Sequence, residues 1–166
     1  MKKGLLAFIC IFLFLILTAC HQHAAEKTNK ATKRKKITIN NELNQEKKTD
    51  KFKIKLTSAK LVENPWNPDN GRMTLELGVY AKNKSKSKQN IGTGDFQIYD
   101  KKGKKYTFTG SENNFGGEVK PAKTIKGKGY YSVPINMREA VVIYKPFQST
   151  EQQKWNIKVT PLKSNE

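Results

Sequence analysis

From Lys51 onward, hydrophobic and polar residues alternate with a period of two. Phe52, Ile54 and Leu56 are interleaved with Lys53 and Lys55, and Met73, Leu75, Leu77 and Val79 with Thr74, Glu76 and Gly78. Further apolar segments follow at Phe96-Gln97-Ile98, Tyr106-Thr107-Phe108, Tyr131-Ser132-Val133, Val141-Val142-Ile143 and Trp155-Asn156-Ile157-Lys158-Val159. Successive side chains of a strand point to opposite faces, so this pattern predicts strands with one buried side. Turn chemistry separates them at Asn64 to Gly71, Asp100 to Gly103 and Asn113 to Gly117. No segment carries a helical stripe longer than two turns. Seven or so short strands of this kind predict an all-β domain over residues 51–166, a β-sandwich in preference to a barrel.

The start of the chain follows a different rule. Met1-Lys2-Lys3 is positively charged, Leu5 to Leu17 is an apolar run, and Leu17-Thr18-Ala19-Cys20 closes it. A charged start, a short apolar core and small residues before a cleavage point make an export signal over residues 1–19. The run is short for a spanning helix, which weakens the competing reading of an uncleaved anchor with Cys20 as a buried thiol. The ending resembles the bacterial lipobox, in which Leu17, Thr18 and Ala19 are read by the signal peptidase and Cys20 becomes lipid-modified. A diacylglyceryl group on Cys20 would anchor the protein to the outer face of the cell membrane, since two buried acyl chains hold where one does not.

Residues 20–50 are rich in Lys, Arg, Asn, Gln and Thr, with only Ile37, Ile39 and Leu43 able to pack. Such a composition buries too little surface to offset ordering entropy, so a flexible basic tether is expected there. Cys10 is lost with the signal and Cys20 is consumed by the lipid, leaving a domain without disulfides, thiolate metal sites or a cysteine nucleophile.

Three segments carry a family resemblance. They are Met73 to Ser85, a long strand ending in an Asn-rich turn; Phe96 to Tyr106; and Val119 to Gly127 leading into Tyr130-Tyr131-Ser132-Val133-Pro134. In this order, behind a lipobox, they resemble a family of Gram-positive lipoproteins with an immunoglobulin-like domain of unknown function. That domain is similar in fold to a secreted mycobacterial immunoprotective antigen. The resemblance implies an extracytoplasmic immunoglobulin-like sandwich and offers no catalytic residues. Ala122 stands where the family usually has Gly, a departure expected to touch that turn and not the fold.

The residues give little support to catalysis. Both histidines, His21 and His23, precede the domain, so no histidine-based triad can form within it. Asp95 and Asp100 flank one strand at odd spacing and read as hairpin-end residues in preference to an acid–base pair. Gly92-Thr93-Gly94 and Gly116-Gly117 open no helix and cradle no phosphate. Asn67, Asp69 and Asn70 miss the spacing of a calcium loop, and acylation would cripple a copper or nickel terminus at Cys20-His21-Gln22-His23. The expectation is a non-enzyme with no metal and no cofactor.

Charge is the remaining signal. The chain has 32 Lys and Arg against 14 Asp and Glu, a net +18; residues 51–166 hold 22 and 10, a net +12. Three clusters stand out: Lys82, Lys84, Lys86 and Lys88; Lys101, Lys102, Lys104 and Lys105; Lys120, Lys123, Lys126 and Lys128. Lysine suits diffuse attraction to polyanions more than bidentate recognition. The plain alternative is a solvated surface with Lys guarding strand edges. The polyanions in question are teichoic acid, anionic lipid and extracellular DNA; Tyr99, Tyr106, Tyr130, Tyr131 and Trp66 could stack bases if exposed beside these lysines, but aromatics at strand spacing are more often core, so nucleic acid is a disfavoured partner.

The preferred reading is a binding or scaffold lipoprotein that presents a basic sandwich to an envelope protein complex or to an anionic wall polymer such as teichoic acid. The alternative is an accessory lipoprotein of a secretion or conjugation apparatus. The signal fragment Phe12 to Ala19 also has the look of a peptide pheromone.

Overall fold

Alternation in the sequence becomes two-faced strands in the computed structural model, which describes residues 40–63 and 71–162. Ten strands run among these residues: β1 (Glu46–Lys48), β2 (Phe52–Val62), β3 (Arg72–Asn83), β4 (Gln89–Gly92), β5 (Phe96–Tyr99), β6 (Lys105–Tyr106), β7 (Gly116–Val119), β8 (Thr124–Pro134), β9 (Glu139–Tyr144) and β10 (Gln153–Lys158). A 3-10 turn, Thr93–Asp95, leads into β5. One sheet has the order β1-β2-β3-β8, the second β10-β9-β5-β6, and β4 pairs with β7 in a short ribbon. Every pairing between named strands is antiparallel.

The two four-stranded sheets form a β-sandwich around one apolar core. β2 contributes Phe52, Ile54, Leu56, Ala59 and Leu61, and β3 contributes Met73, Leu75, Leu77, Val79 and Ala81. Ile98, Ala140, Val142, Tyr144, Trp155 and Ile157 close the core from the second sheet. Burying one such side chain contributes about 1.5–3 kcal/mol, so the interleaved lysines are left to face solvent. Buried polar groups find partners: the Trp155 indole donates to the Gln45 carbonyl at 3.2 Å, and the Tyr131 hydroxyl to the Thr93 carbonyl at 3.1 Å.

Three expectations need correcting. The basic tether was expected to reach Asp50, but the domain begins near Asn41. The Lys158 amide donates to Asn41 Oδ1 at 3.1 Å, the Glu42 amide to the Asn156 carbonyl at 2.8 Å, and the Asn44 amide to the Leu56 carbonyl at 2.7 Å. β1 then pairs with β2 from Glu46 to Lys48. This segment is held by backbone hydrogen bonds and one carboxylate more than by apolar burial, so its composition resembles a tether. Secondly, the strand count exceeds seven because β1, β4 and β7 are too short and polar to alternate. Thirdly, the break expected at Asn113 to Gly117 ends early, since Gly116 already pairs with Gly92.

Two turns use the left-handed region of the backbone. Gly103 closes the Asp100 turn at φ +82°, in the left-handed region that favours glycine. Ala122 takes φ +61° between β7 and β8, also in the left-handed region that favours glycine. Of the turn expected at Asn64 to Gly71, residues 64–70, with Trp66, lie outside the described residues, as do the export signal, Cys20 and residues 20–39 of the expected tether.

Candidate functional site

Asn83, the last residue of β3, is fully buried and organises one end of the sandwich. Its amide nitrogen donates to the carbonyls of Ser87 and Val119, both at 2.8 Å. Its side-chain oxygen accepts from the Ser85 amide at 2.8 Å. Its backbone N–H donates to the Lys123 carbonyl at 2.9 Å, and its own carbonyl accepts from Ala122 at 3.1 Å. One side chain and its backbone thereby clamp the β3–β4 turn to the β7–β8 turn. The sequence holds the first and third lysine clusters 38 residues apart from their first members, Lys82 and Lys120; the fold brings their turn residues Lys84, Lys86, Lys88, Lys120 and Lys123 to one end. Lys51 joins them, since its carbonyl accepts from the Lys84 amide at 2.8 Å. Lys88 pairs with Glu118 at 2.9 Å, both side chains largely exposed. The Asp50 amide, next to Lys51, donates to the Glu151 carboxylate in the turn between β9 and β10, a turn in which Phe147 is 88% exposed.

Lys82, Lys126 and Lys128 belong to the outer face of the first sheet. Register sets Lys55 and Lys126 on either side of Tyr80, and Lys53 and Thr124 on either side of Lys82. The Lys55 ammonium lies 5.3 Å and the Lys126 ammonium 5.7 Å from the centre of the Tyr80 ring. One rung further, Gly78 stands between Ser58 and Lys128. A β-bulge between Leu56 and Ser58 shifts the register here. It places the hydroxyls of Thr57 and Ser58 where a Cβ at position 78 would collide with both. The result is an open groove of about 470 Å³ lined by Lys55, Thr57, Ser58, Tyr80, Lys126 and Lys128, with Gly78 as its floor.

Glu76 bounds this groove. It bonds Lys60 at 3.2 Å and Lys128 at 3.1 Å. Burial alone would raise its carboxyl; the hydrogen bonds and charges of Lys128 and Lys60 outweigh that and hold it below its ordinary value. Among the described residues no carboxylate pairs with Lys55, Lys82 or Lys126.

The second cluster lies elsewhere. Lys101 pairs with Glu139, and Lys104 stands 5.7 Å over the Tyr106 ring. Asp100 Oδ1 accepts from the amides of Lys102 at 2.8 Å and Lys104 at 2.9 Å. The backbone bond from Lys104 is the foremost reason its carboxyl sits below the ordinary range. Arg72 lies over the Tyr106 ring at 6.0 Å, so this hairpin flanks the Arg72 end of β3 and the first cluster flanks the Asn83 end. β3 is twelve residues long, which separates the two ends by about 36 Å.

Asp95 and Asp100 each serve a turn at one end of β5. Asp100 shapes the hairpin; Asp95 Oδ2 accepts from the Gly92 amide at 2.8 Å, and burial raises its carboxyl. Of the aromatics, Tyr106 and Tyr131 are buried. Tyr99 bonds Gln97 at 2.7 Å and Tyr130 bonds Glu76 at 3.4 Å. Tyr80, Lys55, Thr57, Ser58 and Gly78 were not singled out in the sequence. The signal available was the offset alternation itself, which puts Tyr80 and Lys55 on the outward phase of their strands. Cys20, Leu17, Thr18 and Ala19 lie outside the described residues.

Comparison with solved structures gives the same fold. A candidate lipoprotein, ycdA, from Bacillus subtilis superposes with a TM-score of 0.58 at 18% identity, over 68% of this chain and 38% of that one. The chain thus spans well under half the length of that neighbour. The yjhA protein from Bacillus subtilis gives 0.54 at 16% identity, over 72% of this chain and 99% of that one. The secreted protein MPT63 from Mycobacterium tuberculosis gives 0.52 at 16%, over 69% and 93%. No curated protein matches. Residues 41–154, which begin where the first backbone bonds of the domain begin, match a single family along more than half of the sequence, and the chain belongs to that family, described as Domain of unknown function (DUF4352).

Proposed function

We propose that this protein is a lipid-anchored, extracytoplasmic binding domain that holds an anionic polymer of the cell envelope and performs no catalysis. The observation that carries the reading is the clamp at Asn83, which gathers lysines from two separate clusters onto one end. Gathered like-charged side chains repel one another, so a fold that concentrates them gains most when a polyanion neutralises them. Anchoring rests on the Leu17-Thr18-Ala19-Cys20 motif and agrees with the lipoprotein description of one structural neighbour. The two acids that flank β5 are engaged in local structure, Asp100 in its hairpin and Asp95 at the 3-10 turn, which supports a binding role.

The test is co-sedimentation of the full chain, in detergent, with isolated cell-wall polymer across a salt series. Retention should fall steeply between 0.1 and 1 M salt, where the screening length drops from about 10 to 3 Å. Retention indifferent to salt, or a recurrent protein partner lost on replacing the exposed Phe147, would overturn the reading in favour of an envelope protein complex.

A further inference from the structure

The groove on the outer face of the first sheet differs from the basic end in one respect: it has a shape. Its floor is the missing side chain of Gly78, its wall is Tyr80, and its rims are lysines from the two strands that flank β3. Two hydroxyls, Thr57 and Ser58, open onto the space above Gly78, and no described residue bonds either of them. A β-bulge is needed to put them there, and bulges re-aim side chains at the cost of a ladder bond.

The cations are arranged in rungs. Lys55 and Lys126 stand two strand spacings apart across Tyr80, about 10 Å between backbones, and Lys128 lies about 7 Å further along β8. Lys53 and Lys82 extend the row in the other direction, beside Tyr80. Glu76 neutralises part of the charge at the Lys128 end and Glu46 pairs with Lys53 at 3.6 Å, so the lysines without a carboxylate partner among the described residues, Lys55, Lys82 and Lys126, stand around Tyr80. This is a track for a chain bearing regularly spaced negative charges, with hydroxyl partners midway.

Tyr80 narrows the class. Lys55 and Lys126 come from β2 and β8, the two opposite neighbours of β3, and both lie over its ring. A nucleobase stacking on Tyr80, the contact that single-stranded nucleic acids use, would have to displace these ammonium groups from the ring. What the groove offers instead is ammonium groups for phosphates and hydroxyls for hydroxyls. Resting on the polymer-binding reading above, we infer that this groove is the seat of a phosphodiester-linked polyol chain, with Lys55, Lys126 and Lys128 meeting phosphates and Thr57 and Ser58 meeting the polyol.

Lysine footprinting of the full chain in detergent tests this directly. The protein is acylated at its amines with and without a glycerol-phosphate polymer, and each lysine is read by mass spectrometry. The groove predicts protection of Lys55 and Lys126 at polymer concentrations below those that protect Lys84, Lys86, Lys120 or Lys123. The double variant Lys55→Gln/Lys126→Gln, on an exposed face and so expected to keep its melting temperature, should lower the slope of log affinity against log salt by about 1–2. Protection confined to the Asn83 end overturns the groove and leaves the polymer reading standing. Protection nowhere overturns both. Single-stranded DNA that protects Lys55 and Lys126 as well as the polyol polymer does, at equal phosphate, overturns the choice of ligand.

Discussion

A single carboxyl illustrates how the fold overrides the ordinary chemistry of a residue. Asp95 sits in the 3-10 turn before β5, where burial raises its pKa while the bond from Gly92 pulls the other way. Its charge also helps raise the hydroxyl pKa values of Tyr131 and Tyr144, for which burial is the larger cause. A folded-state pKa above the unfolded one means that folding favours the protonated form. The contribution is fully present below the unfolded pKa and is lost as pH rises through the folded one. Asp95→Asn keeps an acceptor for the Gly92 amide and removes the buried charge. The variant should melt a few degrees higher than the parent at pH 7, and the difference should vanish by about pH 3, near or below the reference carboxyl value. Calorimetry at both pH values checks this; a variant less stable at pH 7 would show that the charge itself holds the turn. Ala122 teaches a related lesson. Sequence flags it as a departure from glycine, yet only the φ of +61° shows that alanine accepts the left-handed conformation there.

Among elements, strands with apolar residues at alternate positions were legible, even the short β5 and β6, and the short polar ones were not. β2, β3 and β8 carry eleven or twelve residues each, long enough for burial to write a clear alternation. β1, β4 and β7 have four residues or fewer and at most one core side chain each, and they exist because neighbouring backbone groups need partners. Glu42 belongs to the same class. Burial alone would raise its carboxyl, but Lys47, at 2.7 Å, and the Asn156 amide, at 2.6 Å, hold it low and fasten the first residues of the domain to β10. No single-sequence pattern distinguishes such a carboxylate from one in a solvated tether. The lysine clusters were visible as runs, while their division between two ends and one sheet face follows from register alone. Asn83 is the element-scale determinant of that division. Asn83→Ala would leave the Ser87 and Val119 carbonyls without their donor, at a cost of about 2–4 kcal/mol. Hydrogen exchange should then quicken in residues 84–88 and 119–124 and leave β9 and β10 protected. Uniform acceleration along the chain would mean that Asn83 holds the whole core and not two turns.

At the scale of the whole molecule, charge is unevenly spent. The hairpin of Lys101, Lys102, Lys104 and Lys105 is answered locally by Glu139 and Asp100. At the Asn83 end only Glu118 is paired with a turn lysine among the described residues. The two ends lie about 36 Å apart along β3, several times the screening length of about 8 Å at physiological salt, so they act independently on a distant charge. Replacing Lys101, Lys102, Lys104 and Lys105 with Gln removes as many charges as replacing Lys84, Lys86, Lys120 and Lys123, and leaves the same net charge. If net charge alone governed polymer binding, both quadruple variants would weaken it equally. The structure predicts inequality: the second variant should lose about tenfold or more in affinity at low salt, in keeping with the phosphate contacts removed, and the first should stay near the parent. Equal losses in the two would assign the attraction to the overall +18 and strip the Asn83 end of any special role.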